Sequence, residues 1–288
     1  MRTSAPRRLF PAGLGLLFLL ALTAYFLFPL SWLVVSATKD TAELGSTNGF
    51  WFADAGFVGG FVDNLRTLFA EEDGRFSRWL FNSAVYAGFG ALGSTVIAAF
   101  AGYALAIFRF RGRDAVFAGI LGGVLIPGTV LALPLFLLVS TMNLVDTYWA
   151  VLLPVLANPF GVYLCRVYSA AAVPDEVIEA ARIDGAGELR IFLTIASRML
   201  SPALVTVYLF SFVSIWNNFF LPLVMLTDRD LWPVTLGLYG WQQQAMSTPE
   251  FTTLVIAGSL VSTLPLLVVF FAMQRYWRAG LTVGALKA

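Results

Sequence analysis

The chain has 288 residues and a formal net charge of +1; 59% of it is hydrophobic and only 12% is charged, about half the charged share of an average soluble domain. A soluble fold of this length cannot hide that much apolar side chain, so that class is excluded. There is no histidine, which removes the commonest metal ligand and the commonest general base near neutral pH. Cys165 is the only cysteine, so neither an internal disulfide nor a cysteine metal cluster can form. The only lysines, Lys39 and Lys287, lie outside any phosphate-binding loop pattern, so ATP is not bound by that route. No catalytic residue, metal or cofactor, and no nucleic-acid partner, is expected.

A helix needs roughly 20 apolar residues to cross the hydrocarbon of a bilayer. Six blocks meet that length: 13–35, 82–108, 115–139, 148–168, 202–226 and 253–277. The reading is an all-α polytopic membrane protein with six transmembrane helices, one membrane domain over 1–288, in contact with lipid. Pro29, Pro127, Pro134, Pro154, Pro159, Pro222 and Pro265 fall inside these blocks. Membrane bundles tolerate such prolines, as packing kinks or as kinks around a pathway.

The basic residues set the orientation. With the N-terminus inside, thirteen lie on the cytosolic side and five outside, which places both termini in the cytosol. The first block, behind Arg7-Arg8, is about 22 apolar residues long with no small-residue cleavage site, an uncleaved anchor rather than an export signal.

Outside, the long segment 36–81 carries the acidic run Glu71-Glu72-Asp73 and a Ser36-Ala37-Thr38-Lys39 match to the Ser-x-x-Lys pattern of acyl-transferring enzymes. That match lacks the accompanying elements and sits at the end of a span, so catalysis there is discounted. A second outer segment, 227–252, carries Trp232, Trp241, Gln242, Gln243 and Gln244. The aromatic and amide groups suit sugar faces and hydroxyls, and a water-exposed loop accounts for them equally well. Asn217 and Asn218 fall in the middle of the fifth block, where an amide serves packing between helices or lines a hydrated pathway.

The longest polar excursion between spans, about 169–201, lies on the cytosolic side. Pro174 with Asp175 and Glu176 is a sound helix start, matching the positive end of the helix dipole. Gly185 and Gly187 interrupt that helix, with a positive φ expected at Gly185. A second helical piece from Glu188 to Leu200 follows and leads to Pro202. This helix–turn–helix is either a docking surface or an ordinary amphipathic connection.

Glu179-Ala180-Ala181, then Gly185, then Ile195 resembles the EAA loop of the inner-membrane permease subunits of ATP-binding-cassette importers. The string from Val173 to Phe192, Phe28-Pro29-Leu30-Ser31-Trp32, Tyr103-Ala104-Leu105 with Arg109-Phe110-Arg111-Gly112-Arg113, Trp216-Asn217 and the tail from Gln274 to Lys287 are similar to the carbohydrate branch, which includes the maltose and glycerol-phosphate systems. Two positions depart from that pattern. Ser197 and Arg198 stand where the family usually has Leu-Pro, and Asn218 where it often has an acid.

The resemblance implies a type I ABC importer permease (MetI-like) fold in the cytoplasmic (inner) membrane of a prokaryote. It implies a permease subunit of an ATP-driven, binding-protein-dependent sugar importer, oligosaccharide by class, working by alternating access without an ATPase site of its own. The implied partners are a second homologous permease, two ATPase subunits that bind the ATP, and an extracytoplasmic sugar-binding protein. Glu179, Ala180, Ala181, Asp184 and Gly185 would couple to the ATPase, with Arg278 and Lys287 approaching it from the tail. Trp216, Asn217 and Asn218 would serve the pathway or the partner permease, and Trp241, Gln242, Gln243 and Gln244 the binding protein. The rival reading is a stand-alone secondary transporter of a small polar solute. It is weakened by span interiors almost free of ionisable residues and by the lack of an internal repeat.

Overall fold

A computed structural model describes residues 12–52 and 56–285. Among them, four helical runs are long and apolar enough to cross a bilayer: Gly13–Ser36, Val58–Ile107, Tyr148–Ala172 and Phe251–Gln274. Two further pairs pass the same test but are sharply bent, so the total reaches six when each pair counts as one span. The chain packs as two units, Met1–Glu71 with Trp241–Val261 and Glu72–Gly240 with Ser262–Ala288.

In the first unit, α1 (Ala12–Ser36) is exposed on all sides over most of its length, with Leu16, Leu17 and Phe18 uncovered among the described residues. Such a helix is at home in hydrocarbon, where an uncovered leucine costs nothing. Its end is tied down by polar contacts. The buried Lys39 ammonium donates to the Asn48 carbonyl at 2.6 Å. The Asn64 amide of α3 (Gly56–Ala70) donates to the carbonyls of Ala37 and Lys39 at 2.8 and 3.0 Å. Asp40 caps α2 (Thr41–Ser46), its carboxylate accepting from the Glu43 N–H while Glu43 accepts from the Asp40 N–H, a reciprocal capping box. Lys39 is thus a structural anchor.

The second unit is organised around α4 (Arg75–Ile107). Gly90, Ser94, Ala98 and Gly102 recur at every fourth position of its buried face, a ridge of small side chains that lets neighbouring backbones approach. Against it pack α7 (Tyr148–Val155), α8 (Pro159–Ala172) and α12 (Ser201–Trp216). The expected third span is two helices, α5 (Arg113–Val124) and α6 (Gly128–Thr141), turned by 105° at the break before Gly128. Pro127 caps α6 instead of kinking a continuous helix, because the residue before a proline is pushed out of helical geometry. The expected fifth span is also interrupted. It ends at Trp216 and resumes as α13 (Phe220–Met225), so Asn217 and Asn218 lie in a break and not inside a helix.

Side chains of α4 staple the segment that follows α13. Trp79 Nε1 donates to the Arg229 carbonyl, Asn82 to those of Asp230 and Trp232, and Tyr86 to that of Leu231, all at 2.8–2.9 Å. Arg229 pairs with Glu72 at 3.1 Å, and its guanidinium carbon lies 5.9 Å from the Trp79 ring and 5.5 Å from the Trp232 ring. Asp146, in the left-handed region at φ +61°, ties the turn before α7 to the same segment. Its carboxylate accepts from the N–H groups of Thr227 and Asp228 at 2.8 Å and from the Thr227 hydroxyl.

Burial works to raise the Asp146 pKa, but these three bonds outweigh it and hold the carboxyl below the ordinary range. A depressed carboxylate stabilises the fold above its unfolded value, about 3.9, and that contribution disappears as pH falls through the lower folded value. Asp146→Ala is therefore expected to destabilise the purified chain by about 1–2 kcal/mol at pH 7. The gap in thermal midpoint between variant and wild type should shrink as pH drops below about 4. A gap independent of pH would show that the carboxylate charge contributes nothing.

Candidate coupling site

The polar excursion folds as α9 (Asp175–Ile183), a glycine turn, α10 (Glu188–Ile191), one π-helical turn over Phe192–Ala196 and α11 (Ser197–Met199). Asp175 and Glu176 occupy the first turn of α9 and Arg182 the last, the charge order a helix dipole favours. The helix closes with a bond from the Ala186 N–H to the Ala181 carbonyl and one from the Gly185 N–H to the Arg182 carbonyl, each 3.0 Å. That bond pair is a Schellman motif, and Gly185 supplies its left-handed residue with φ +77°. The positive φ expected from the sequence is present.

Across the turn, Arg182 Nε donates to the Glu188 carboxylate at 2.7 Å. That hydrogen bond raises the pKa of the already basic guanidinium, so Arg182 stays charged at any physiological pH. It fixes the angle between α9 and α10 more than it adds stability, because both partners are well exposed to solvent.

The inner face of α9 is apolar. Ile178 and Ala181, three residues apart, are buried in one cluster with Tyr103, Leu105, Cys165, Val173, Ile191, Phe192 and Leu200, drawn from α4, α8 and the helices that follow the turn. Ala181 therefore belongs to this chain's own core. The expectation that it faces a partner is corrected: at helical spacing, the position three after Ile178 must share its side. Glu179, Ala180, Asp184 and Gly185 are exposed, and no ion pair engages Glu179 or Asp184 among the described residues.

Sequence reasoning missed Ile183, which is 86% exposed at the tip of α9, and Leu189, 61% exposed just past the turn. The available signal was periodicity. Ile183 lies two positions beyond Ala181 and so nearly opposite the buried stripe. Also missed was Arg109, which joins Asp175, Glu179 and Arg182 around a cavity of about 340 Å³. Its rim of alternating charge flanks the exposed apolar tip.

The remaining expected site residues scatter. Trp216 is buried, its ring stacked on Phe212 at 5.7 Å, and presents nothing outward. Asn217 is exposed and donates to the Val213 carbonyl, whereas half-buried Asn218 accepts from the Leu221 N–H at 3.3 Å. Trp241 lies on α14 (Val234–Gln244), wholly buried with its ring 6.1 Å from that of Phe251. The outer segment there, read as either a sugar- or binding-protein-facing surface or a water-exposed loop, is a helix, and its inward face takes Trp241. Gln242 and Gln243 are exposed and Gln244 half-buried. Ser197 and Arg198 continue the helix as part of α11, and the chain turns by 82° only at Leu200, with Pro202 in the first turn of α12. Arg278 lies in α15 (Phe251–Ala285), its side chain outside the described set, and Lys287 falls outside the described residues.

The family model of the binding-protein-dependent transport system inner membrane component matches residues 79–282. The chain belongs to that family. As a permease it is 30% identical to the arabinooligosaccharides transport system permease protein AraQ of Bacillus subtilis (strain 168), over 94% of either chain. It is 32% identical to the lactose transport system permease protein LacG of Rhizobium radiobacter, over 93% of this chain and 94% of that one. It is 30% identical to the sn-glycerol-3-phosphate transport system permease protein UgpE of Escherichia coli O1:K1 / APEC, over 90% and 91%. The permease also shares its fold with a chain of the crystal structure of a bacterial ABC transporter involved in the import of the acidic polysaccharide alginate. The TM-score is 0.79 at 23% identity, over 96% of this chain and 99% of that one. It is an inner-membrane transport component of the type I importer fold, and the stand-alone secondary transporter is not favoured.

Proposed function

We propose that this permease is one half of the membrane channel of an ATP-driven oligosaccharide importer, and that α9 is the element through which it is driven. The observation that carries the mechanism is the outward face of α9: Ala180, Ile183, Asp184 and Gly185 exposed on a helix whose other face is locked into the chain's own core. We assign Ile183, 86% exposed at the tip of a polar helix, as the apolar part of the surface that seats in a complementary cleft. Glu179 and Asp184 add acceptors for charged hydrogen bonds at its edge. The cleft belongs to a separate ATPase subunit, which binds the ATP. Its closure pushes α9, and the cluster joining Ile178 and Ala181 to Tyr103 and Cys165 carries the displacement into α4 and α8 as a rigid body.

The full assembly comprises this chain, a second homologous permease, two ATPase subunits and an extracytoplasmic sugar-binding protein. The sugar assignment follows from the substrates in the names of the relatives: arabinooligosaccharides and lactose. The exposed Gln242 and Gln243 and the tail residues Arg278 and Lys287 are assigned to the binding protein and to the ATPase respectively. Both termini and α9 face the cytosol, on the excess of basic residues there. A cysteine at position 179 should then resist an impermeant thiol reagent in intact cells, and labelling would reverse the orientation.

The decisive experiment is reconstitution of the four-component complex in proteoliposomes. Its ATPase activity should rise several-fold when sugar-loaded binding protein is added, whereas the purified single chain should hydrolyse no ATP. Turnover by the single chain, or uptake by it alone under an ion gradient, would refute the subunit assignment.

A further inference from the structure

The second unit contains a cavity of about 370 Å³ that the coupling role does not use. It lies where two helices are broken. α7 stops at Val155 and α8 starts at Pro159; α12 stops at Trp216 and α13 starts at Phe220. Breaks in spans are tolerated where they line a hydrated cavity, and paired discontinuous helices are a common way to build a substrate site in a transporter.

The first break frees acceptors. Pro159 has no N–H for the Val155 carbonyl four residues earlier, and the Gly161 N–H bonds the Asn158 side chain at 2.8 Å instead of the Ala157 carbonyl. Among the described residues no backbone donor reaches either carbonyl, and both residues line the cavity. The second break leaves the two N–H groups of the Asn218 amide unbonded, and the exposed Ser214 hydroxyl has no partner among the described residues. Deeper in, the Asn158 amide donates to Ser211 Oγ at 2.9 Å and keeps one further N–H. Phe160 and Phe210, each more than two-fifths exposed and in edge contact, also line the cavity.

This lining mixes uncharged donors and acceptors and contains no ionisable side chain. A phosphate, an amino acid or a metal ion would enter without compensation for its charge. A neutral polyhydroxylated molecule fits, since each hydroxyl both donates and accepts and the apolar ring face packs on aromatic edges. We infer that this cavity is a sugar-binding subsite on the translocation pathway, holding one sugar unit of a longer chain. The inference rests on the importer reading and places part of the pathway on this subunit.

The test uses the complete complex in proteoliposomes with radiolabelled arabinotriose, lactose and raffinose. Ser214→Ala removes only the free hydroxyl and should raise the KM for uptake about threefold. Ser214→Phe fills the cavity and should cut uptake more than tenfold, while the partner permease still co-purifies and loaded binding protein still stimulates the ATPase. Stimulated ATPase without uptake is the signature of a blocked pathway. Wild-type uptake by both variants would overturn the subsite. Loss of the partner permease from the Ser214→Phe preparation would also overturn it and make the cavity a subunit interface. Failure of the wild-type complex to take up any of the three sugars would instead overturn the parent reading, and the subsite with it.

Discussion

Gly185→Val is expected to reduce sugar uptake to background while leaving the protein at near-normal levels in the membrane. The cause is conformational. A Cβ at Gly185 would meet nothing within 4 Å, but φ is +77°, a region that costs an ordinary L-residue about 1–2 kcal/mol and a β-branched one more. The chain relieves that strain by rotating out of the left-handed state. Doing so breaks the Schellman bonds at Arg182 and Ala181 and pulls apart the Arg182–Glu188 pair. The exposed tip, Ile183 and Asp184, then points elsewhere. In the reconstituted complex, loaded binding protein should no longer stimulate ATP hydrolysis.

A graded series separates backbone from bulk. Gly185→Asn is expected to retain most activity, because asparagine tolerates the left-handed region. Gly185→Ala should be intermediate, and Glu179→Ala milder than valine or alanine at 185, since it removes one exposed polar group. If Gly185→Val transports at the wild-type rate, α9 is an ordinary connection and the coupling proposal is wrong. If asparagine is as damaging as valine, the turn matters for the space it leaves a partner and not for its φ.

Gly102→Val is expected to remove the protein from the membrane altogether, with folded material below about a tenth of wild type. At Gly102 the backbone of α8 lies directly against α4. A Cβ there would lie 2.5 Å from Cys165 Cβ, 2.7 Å from the Arg166 nitrogen and 2.9 Å from the Cys165 carbonyl carbon. Two of those three atoms are backbone, so no rotamer change relieves the overlap; the helices must separate. Packing of just this kind replaces the hydrophobic drive that lipid cannot supply between spans. Gly102→Ala should fail in the same direction, because the first carbon is already the clash. Gly119→Ala, with nothing within 4 Å of the added atom, is the control and should be neutral to slightly stabilising. Normal yield of Gly102→Ala in detergent, with an unchanged thermal midpoint, would show that α4 and α8 are not held this close.

The two glycines differ in how visible they were. Gly185 stands after a run of good helix formers with a basic residue in its last turn, and a helix end is a local event. Chain chemistry alone therefore gave both the turn and the sign of φ. Gly102 belongs to the ridge Gly90, Ser94, Ala98 and Gly102, a spacing of four that was open to inspection. Which helix packs on it is a matter of tertiary structure. The reversal at Pro127 and the break at Asn217–Asn218 were hidden for a related reason. In lipid an interrupted helix and a kinked one carry the same apolar composition, and only the neighbours that re-satisfy the freed backbone groups decide between them.

Hydropathy, the bias of basic residues and the caps around α9 thus determined an α-helical membrane protein with a helix–turn–helix excursion. These signals are local or summed along the chain: a bilayer selects apolar length, and a helix end selects its own residues. The direction of each face was decided only by the fold. Ala181 turned inward because Ile178 had a buried cluster to meet, and Ile183 was left outside by the same rotation. Trp241, read as a surface ring, was drawn into the interior beside Phe251, since a free apolar ring buries itself wherever the packing offers a place. A membrane chain is apolar on both its lipid side and its core side, so hydrophobicity no longer marks the inside. That information exists only in which helices touch.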